Sequence, residues 1–409
     1  MNKYLSLIMA IIIFCISASS CEALDMGFKI IETLDSFIEE EEKVSQAELD
    51  MKQKLDTNTE IYPFYSSLNE RDKLSYAKIC VSIESCNDQL FVVSKYDSIL
   101  ERDTANENIV NFLDMLLYEQ PQYFWVDHCR YNTSKTDKNG VYSLWLQLFY
   151  LIGQDEIGAK QAELDMRVDE IVNKANEMPD TYSKVLCVYD EILETTDYDH
   201  ELAELDEWKD LSPTVYGCLI EGDTVCSGYA LAFNLIMQEL GFESGAEFSH
   251  YVQDEDYESS EAGHVWNYCK LDGEYYYFDL TWDDNDEDEK EYYDHSYFYF
   301  AITTDELRAD EDRKYSEYAT TPPCTGTQYN YFIYNGMYFD EYEYKTAKAS
   351  IKEQLKDNDY IVLKFGSKEQ RDKAKKSLID RENIYDFINQ DKIYYYTFDD
   401  AGFYLYVFL

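Results

Sequence analysis

Cys226 is the residue whose type and position most favour covalent chemistry. It opens a stretch, 226–240, in which Ala230, Phe233 and Met237 recur at helical spacing, so the sequence predicts a helix that begins at the cysteine. Backbone N–H groups at a helix start have no partner inside the helix, and together with the helix dipole they stabilise a thiolate. They can also stabilise an oxyanion. The alternative interpretation is a buried structural cysteine.

A hairpin downstream supplies the partners that a cysteine nucleophile needs. Residues 263–271 have the composition of a strand, Asp272 and Gly273 are typical of a two-residue turn, and residues 274–281 are predicted to return as the second strand. Upstream of the cysteine, Asp223 or Thr224 is predicted to cap the helix.

The turn fixes which side chains share a face of this hairpin. With a regular two-residue turn, His264 lies opposite Thr281, and Trp266 lies opposite Asp279. His264 and Asp279 are then diagonal neighbours on one face, about 7–8 Å apart by backbone and within reach through their side chains. An imidazole oriented by a carboxylate is the base that activates a thiol.

Each partner also has a structural interpretation. His264 can be a half-buried strand residue, and Asp279 can be the start of the solvated acidic stretch Asp283 to Glu291. The conjunction of a cysteine at a helix start, a strand histidine and an aspartate on the same face favours catalysis. We therefore predict Cys226 as nucleophile, His264 as base and Asp279 as the orienting group.

The elements that carry these residues belong to an α+β chain of several predicted segments. A linker is predicted from Thr320 to Gly326, and strands and helices beyond it begin with a predicted strand at Tyr329 to Met337. The predicted segments are a signal peptide (1–21), a charged helical stalk (22–60), an N-terminal α+β region (61–155), a catalytic core (156–319) and a small C-terminal α+β domain (325–409).

Three motifs together resemble the transglutaminase-like superfamily of bacterial exported proteins. They are Gly222 to Ala230 around the cysteine, Gly263 to Asn267 around the histidine, and Tyr276 to Asp283 around the aspartate. The resemblance implies a papain-like α+β fold in which the cysteine helix packs on an antiparallel sheet. It also implies acyl transfer through a thioester on Cys226, resolved by water or by an amine.

Such enzymes add a side-chain donor, often Gln or Trp, to the oxyanion site upstream of the cysteine. Between Leu211 and Val225 this chain has neither. Tyr216 is the candidate substitute in that interval. Trp266 is predicted to pack beside the site or to wall off water.

The first residues have the pattern of an export signal. Lys3 precedes an apolar run from Leu5 to Ile16, too short to span a bilayer comfortably, and small residues follow. Cleavage after Ser20 or Ala23 and lipidation of Cys21 are both compatible with this pattern. The sequence therefore predicts a secreted or cell-surface protein, with the membrane engaged only through a lipid anchor at Cys21.

Composition narrows the partners and cofactors. A net charge of −48 in 409 residues argues against nucleic-acid binding and against attraction to anionic lipid. The chain has no C-x-x-C pair, and its histidines have no metal-ligand spacing. The acidic run from Asp283 to Asp288 lacks the glycine and the terminal glutamate of a calcium loop. We expect no cofactor and no metal.

Two functions follow as hypotheses. The first is an exported cysteine hydrolase or acyltransferase whose substrate is a protein or peptide. The alternative is a non-catalytic surface binding module on a transglutaminase-like scaffold. The complete triad counts against the module, and the missing Gln or Trp donor counts for it.

Overall fold

The computed structural model describes residues 44–135, 141–203, 210–248, 263–284, 295–309, 322–389, 395–399 and 403–408. The predicted signal peptide, Cys21, most of the predicted stalk and residues 285–294, which include most of the acidic stretch, lie outside this part of the chain. The described residues fall into two compact units. The first comprises 44–58, 65–116 and 126–150, and the second comprises 59–64, 117–125 and the chain from 151 onward.

Helices and a three-stranded antiparallel sheet build the first part of the chain. The sheet has the order β1-β3-β2, and β2 and β3 pair antiparallel. The elements are α1 (Gln46–Asp56), α2 (Pro63–Ser67), α3 (Glu70–Glu84), β1 (Phe91–Tyr96), α4 (Ile99–Glu119), β2 (Val126–Lys135) and β3 (Tyr142–Tyr150).

Helix α1 falls within the predicted stalk but packs into the first unit. Its Leu55 is only 1% exposed, and its Asp56 accepts a hydrogen bond from the Tyr65 hydroxyl at 2.8 Å. Burial of apolar side chains against a neighbouring helix stabilises this position. Residues 46–56 therefore belong to the folded unit, and the prediction of a stalk was wrong for them.

The second unit contains the predicted core. Its antiparallel sheet has the order β6-β7-β8-β9, and β4 and β5 form a separate parallel pair. The elements are α5 (Gln154–Asn176), α6 (Thr181–Leu193), β4 (Asp197–Tyr198), α7 (His200–Ala203), a π-helix (Gly217–Glu221), β5 (Asp223–Thr224), α8 (Cys226–Glu239), β6 (Ser244–Phe248), β7 (Val265–Leu271), β8 (Glu274–Phe278), α9 (Leu280–Asp283), β9 (Phe300–Ile302) and α10 (Thr304–Ala309).

Helix α8 packs on the sheet that carries the predicted base. Its Phe233 and Ile236 are fully buried, and the buried Asn267 amide of β7 donates to the Ala230 carbonyl at 3.0 Å. This bond links the cysteine helix α8 to β7, the strand that directly follows His264. A helix that bears Cys226 on an antiparallel sheet confirms the predicted α+β class.

The C-terminal part forms a second four-stranded sheet with the order β10-β11-β13-β12. Its elements are α11 (Tyr331–Tyr334), β10 (Tyr338–Phe339), α12 (Tyr344–Gln354), β11 (Tyr360–Phe365), α13 (Lys368–Lys375), a π-helix (Lys376–Asp380), a 3-10 helix (Asn383–Asp386), β12 (Tyr395–Asp399) and β13 (Tyr404–Phe408). The predicted strand at 329–337 was wrong, because the Asn330 side chain accepts from Phe332 N and Ile333 N and starts α11 instead.

Candidate active site

Cys226 is the first residue of α8, as predicted, and it is half-buried rather than sealed in the core. The predicted cap was wrong: the N-cap is Val225, which offers no side-chain oxygen. Thr224 instead donates its hydroxyl proton to the Ser212 carbonyl. The first turn of α8 thus keeps backbone N–H groups without a side-chain acceptor, which is the arrangement that binds anionic groups.

Gly228 lets the helix begin at this place. A Cβ atom there would lie 1.9 Å from Thr224 Oγ1 and 3.0 Å from the Thr214 carbonyl oxygen. Only glycine permits so close an approach of the helix to the preceding strand. Gly228 therefore helps to set the position of the Cys226 sulfur at the start of α8.

The hairpin has the predicted register but not the predicted length. Leu271 pairs with Glu274, and Asn267 pairs with Phe278, so the predicted register of the two strands is confirmed. Strand β8 ends at Phe278, however, and Asp279 is the N-cap of α9. Its Oδ1 accepts from the Trp282 N–H at 3.2 Å, so a helix cap holds the carboxylate that the sequence assigned to a strand.

His264 contacts both of its predicted partners. Its Nε2 lies 2.7 Å from Asp279 Oδ2, and its side chain also hydrogen-bonds Cys226. The Asp279 side chain is 2% exposed and that of His264 is 18% exposed, so the pair is largely shielded while the imidazole keeps an open edge.

The protonation of His264 reflects these contacts. Burial lowers the pKa of His264, but the charge of Asp279, its hydrogen bond and the contact with Cys226 outweigh burial and raise the pKa from 6.5 to about 9. At neutral pH the imidazole is therefore protonated in the folded protein. A protonated ring can donate a proton to a leaving group.

Two tryptophans flank the imidazole. Trp266 is 2% exposed and stacks on His264 with ring centroids 5.7 Å apart, so it packs beneath the site as predicted. Trp282 lies 6.0 Å from the same ring and is 42% exposed. The sequence analysis missed Trp282, because only the fold shows that this side chain opens to solvent beside the base.

Tyr216 does not have the geometry expected of an oxyanion donor. It is 3% exposed, its ring stacks on Phe124 at 5.2 Å, and its hydroxyl donates to Glu163 Oε2. That proton is already committed to a carboxylate. The structure therefore argues against the prediction for Tyr216.

A buried carboxylate behind the triad anchors α9. Asp283 accepts from the Tyr189 hydroxyl at 2.6 Å, from Ser296 Oγ at 2.7 Å and from Phe298 N at 2.8 Å. Burial raises the pKa of Asp283 to about 7 against the opposing effect of these bonds. The Tyr189 hydroxyl also contacts the Asp279 carbonyl oxygen at 3.1 Å. Asp283 is thus a buried acceptor of several hydrogen bonds, and the prediction that it belongs to a solvated acidic stretch was wrong.

Other potential sites are few among the described residues. Within them, no group of three or more His, Cys, Asp or Glu side chains could hold a metal ion. No helix in the same residues is long and apolar enough to cross a membrane.

Comparison with known proteins gives a family likeness for this segment. Residues 169–280 match the family model of the transglutaminase-like superfamily, and this range includes all three predicted catalytic residues. No curated protein matches the chain.

Several solved structures are similar at low identity. One is described as the crystal structure of a TGase, with 12% identity, a TM-score of 0.26 and coverage of 41% of this chain and 48% of that chain. A candidate cysteine protease from Cytophaga hutchinsonii has 13% identity, a TM-score of 0.23 and coverage of 38% and 62%. A candidate protease from Parabacteroides distasonis ATCC 8503 has 13% identity, a TM-score of 0.21 and coverage of 37% of each chain. The present chain spans less than two thirds of each of them.

Proposed function

Because residues 169–280 form a transglutaminase-like core, we propose that the protein is an exported cysteine-dependent hydrolase or acyltransferase. It acts on peptide or amide bonds through a thioester on Cys226. The observation that carries this proposal is the position of His264, which contacts the Asp279 carboxylate at 2.7 Å and the Cys226 side chain at once.

The reaction proceeds in two halves that share one proton carrier. The Cys226 thiolate attacks the acyl carbon, the C–N bond breaks, and the His264 imidazolium gives its proton to the leaving amine. Water or an incoming amine then attacks the thioester and loses its proton to His264, and the C–S bond breaks to restore the thiolate. Asp279 keeps the ring oriented and stabilises its charged form. Hydrolysis and transfer differ only in the second nucleophile.

Selective alkylation tests whether Cys226 is an activated nucleophile. Iodoacetamide at near-neutral pH should modify Cys226 faster than any other cysteine, as measured by mass spectrometry of peptides after short exposures. Cys86 and Cys129 serve as internal controls because both are half-buried. Burial raises the pKa of the Cys86 thiol and, more strongly, that of Cys129, to about 11. If Cys226 reacts no faster than these two, the proposed function is wrong.

Export is the second part of the proposal, and it is supported by the apolar run from Leu5 to Ile16 and the small residues before Cys21. We expect the chain outside the cytoplasm in cell fractions. A Cys21→Ala variant separates the two processing routes, since it loses a lipid anchor but not signal-peptide cleavage. Full-length chain with an intact leader in the cytoplasmic fraction would refute export.

A further inference from the structure

Tyr198 is placed next to the nucleophile by a short strand pairing. It lies on β4, which runs parallel to β5, and it pairs with Thr224, two residues before Cys226. The Asp199 N–H donates to the Thr224 carbonyl at 2.8 Å and holds this pairing in place. The chain segment that leads into the cysteine helix is therefore flanked directly by Tyr198.

The hydroxyl of Tyr198 is available to a ligand. Tyr198 is half-buried, its ring packs edge-on against His200 at 4.9 Å, and within the described residues its hydroxyl has no hydrogen-bond partner. Other tyrosines near α8 are committed, because Tyr216 donates to Glu163 and Tyr229 donates to Asp284. Tyr198 thus keeps an unused donor near the cysteine.

The protonation state of Tyr198 suits donation. Burial first, then the charges of Cys226 and Asp199, raise the pKa of the Tyr198 phenol to about 12. The phenol therefore keeps its proton at any pH at which the cysteine works.

Attack on a carbonyl group needs such a donor. As the C–S bond forms, the electron pair of the C=O bond moves onto oxygen, and the negative charge requires hydrogen bonds that strengthen in the transition state. Backbone N–H groups in the first turn of α8 supply part of this requirement. The interval from Leu211 to Val225 holds no Gln or Trp to supply the rest, and the Tyr216 proton is engaged elsewhere.

We propose that Tyr198 is the side-chain donor of the oxyanion site and therefore a catalytic residue. Its O–H donates to the acyl oxygen of the substrate while the tetrahedral intermediate exists, together with the N–H groups at the start of α8. Tyr198 keeps its proton throughout, and the oxygen's electron pair returns to the carbonyl when the leaving group departs. This inference rests on the proposed thioester chemistry at Cys226.

Two probes of the same thiol separate the role of Tyr198 from that of Cys226. p-Nitrophenyl acetate acylates a thiolate through a tetrahedral oxyanion, whereas iodoacetamide alkylates it by direct displacement, without one. The variants are Tyr198→Phe and the matched control Tyr216→Phe, both in the full chain. We expect Tyr198→Phe to slow acylation about 10²-fold, the usual effect of losing one oxyanion donor, and to leave alkylation unchanged. Tyr216→Phe should change neither rate.

Each outcome bears on one proposal or on both. Phenylalanine retains the ring of Tyr198, and an unchanged alkylation rate also reports a folded site. Acylation at the wild-type rate in Tyr198→Phe, or slowing in Tyr216→Phe alone, would overturn the role of Tyr198 and leave the nucleophile intact. Equal slowing of both reactions in Tyr198→Phe would overturn it too, since Tyr198 would then support the thiol. An unreactive thiol in the wild-type chain would refute the proposed function first.

Discussion

Alanine at Cys226 is expected to abolish turnover of peptide, amide and ester substrates, and alanine at His264 is expected to lower kcat by roughly 10³-fold or more. In the proposed mechanism Cys226 forms the covalent bond to the acyl group, so no other side chain can replace it. His264 lies in contact with the Cys226 side chain and with Asp279, so its loss removes the carrier of the proton. Turnover of p-nitrophenyl acetate and of a broad peptide library measures both effects.

The double variant distinguishes a catalytic unit from two independent sites. If Cys226 and His264 act together, Cys226→Ala/His264→Ala should be no slower than Cys226→Ala alone. Cys86→Ala is the matched control for loss of a half-buried thiol and should retain wild-type turnover. Wild-type turnover in Cys226→Ala would contradict the mechanism. Ligand binding that survives in this variant, with no turnover in the wild-type chain, would favour the binding module instead.

The register of the histidine hairpin could be predicted because local chemistry determines it. Asp272 has φ 49° and Gly273 has φ 96°, the two positive values that a tight hairpin turn requires. Once the turn is fixed, the pairing of Leu271 with Glu274 follows, and with it the faces of all later side chains. The pairing as far as Asn267 and Phe278 was therefore accessible from residue types and counting alone. His264 and Asp279 lie just beyond the paired residues, and the cap of α9 holds the Asp279 carboxylate there.

Short elements and tertiary pairings escaped the prediction. Helix α9 has four residues, too few for a helical period, so Asp279 gave no sign of being a cap. Strands β4 and β5 have two residues each, too few to show a strand pattern. Their parallel pairing sets Tyr198 opposite Thr224, close to Cys226, and no sequence pattern predicts a pairing between such distant residues. The prediction of Tyr216 as an oxyanion donor failed for the same reason, because only the fold shows that its hydroxyl donates to Glu163.

Asparagine at Asp279 is expected to lower kcat/KM by about 10²- to 10⁴-fold and to move its alkaline limit to lower pH. The substitution changes little else, because Asn is as good an N-cap as Asp and can still accept from the Trp282 N–H, which lies 3.2 Å from Oδ1. What is lost is the charge 2.7 Å from the His264 ring and the hydrogen bond from Nε2, because the amide nitrogen that replaces Oδ2 is a donor and cannot accept. The variant therefore isolates electrostatics from the folding of α9.

The sign of the pH effect follows from the forces on His264. In the wild-type chain burial lowers the pKa of His264, and Asp279 and Cys226 more than reverse this, which raises the pKa to about 9. The leaving amine needs the protonated ring, so kcat/KM should fall as pH rises through about 9. Without the Asp279 charge the lowering by burial is opposed only by Cys226, and the alkaline limit must move down. A pH profile of kcat/KM for amide hydrolysis measures the shift.

The same linkage should be visible in stability. Because the folded-state pKa of His264 lies above its ordinary 6.5, the interaction with Asp279 contributes its full stabilisation below pH 6.5 and loses it as pH rises through about 9. The wild-type chain should therefore lose more stability across this window than Asp279→Asn, as measured by urea midpoints on either side of it. Asp180→Asn is the control, since Asp180 caps α6 by accepting from Ser183 N. This variant should keep the wild-type alkaline limit of kcat/KM and the wild-type loss of stability between pH 6.5 and about 9. A wild-type alkaline limit in Asp279→Asn would show that the carboxylate orients the ring without charging it.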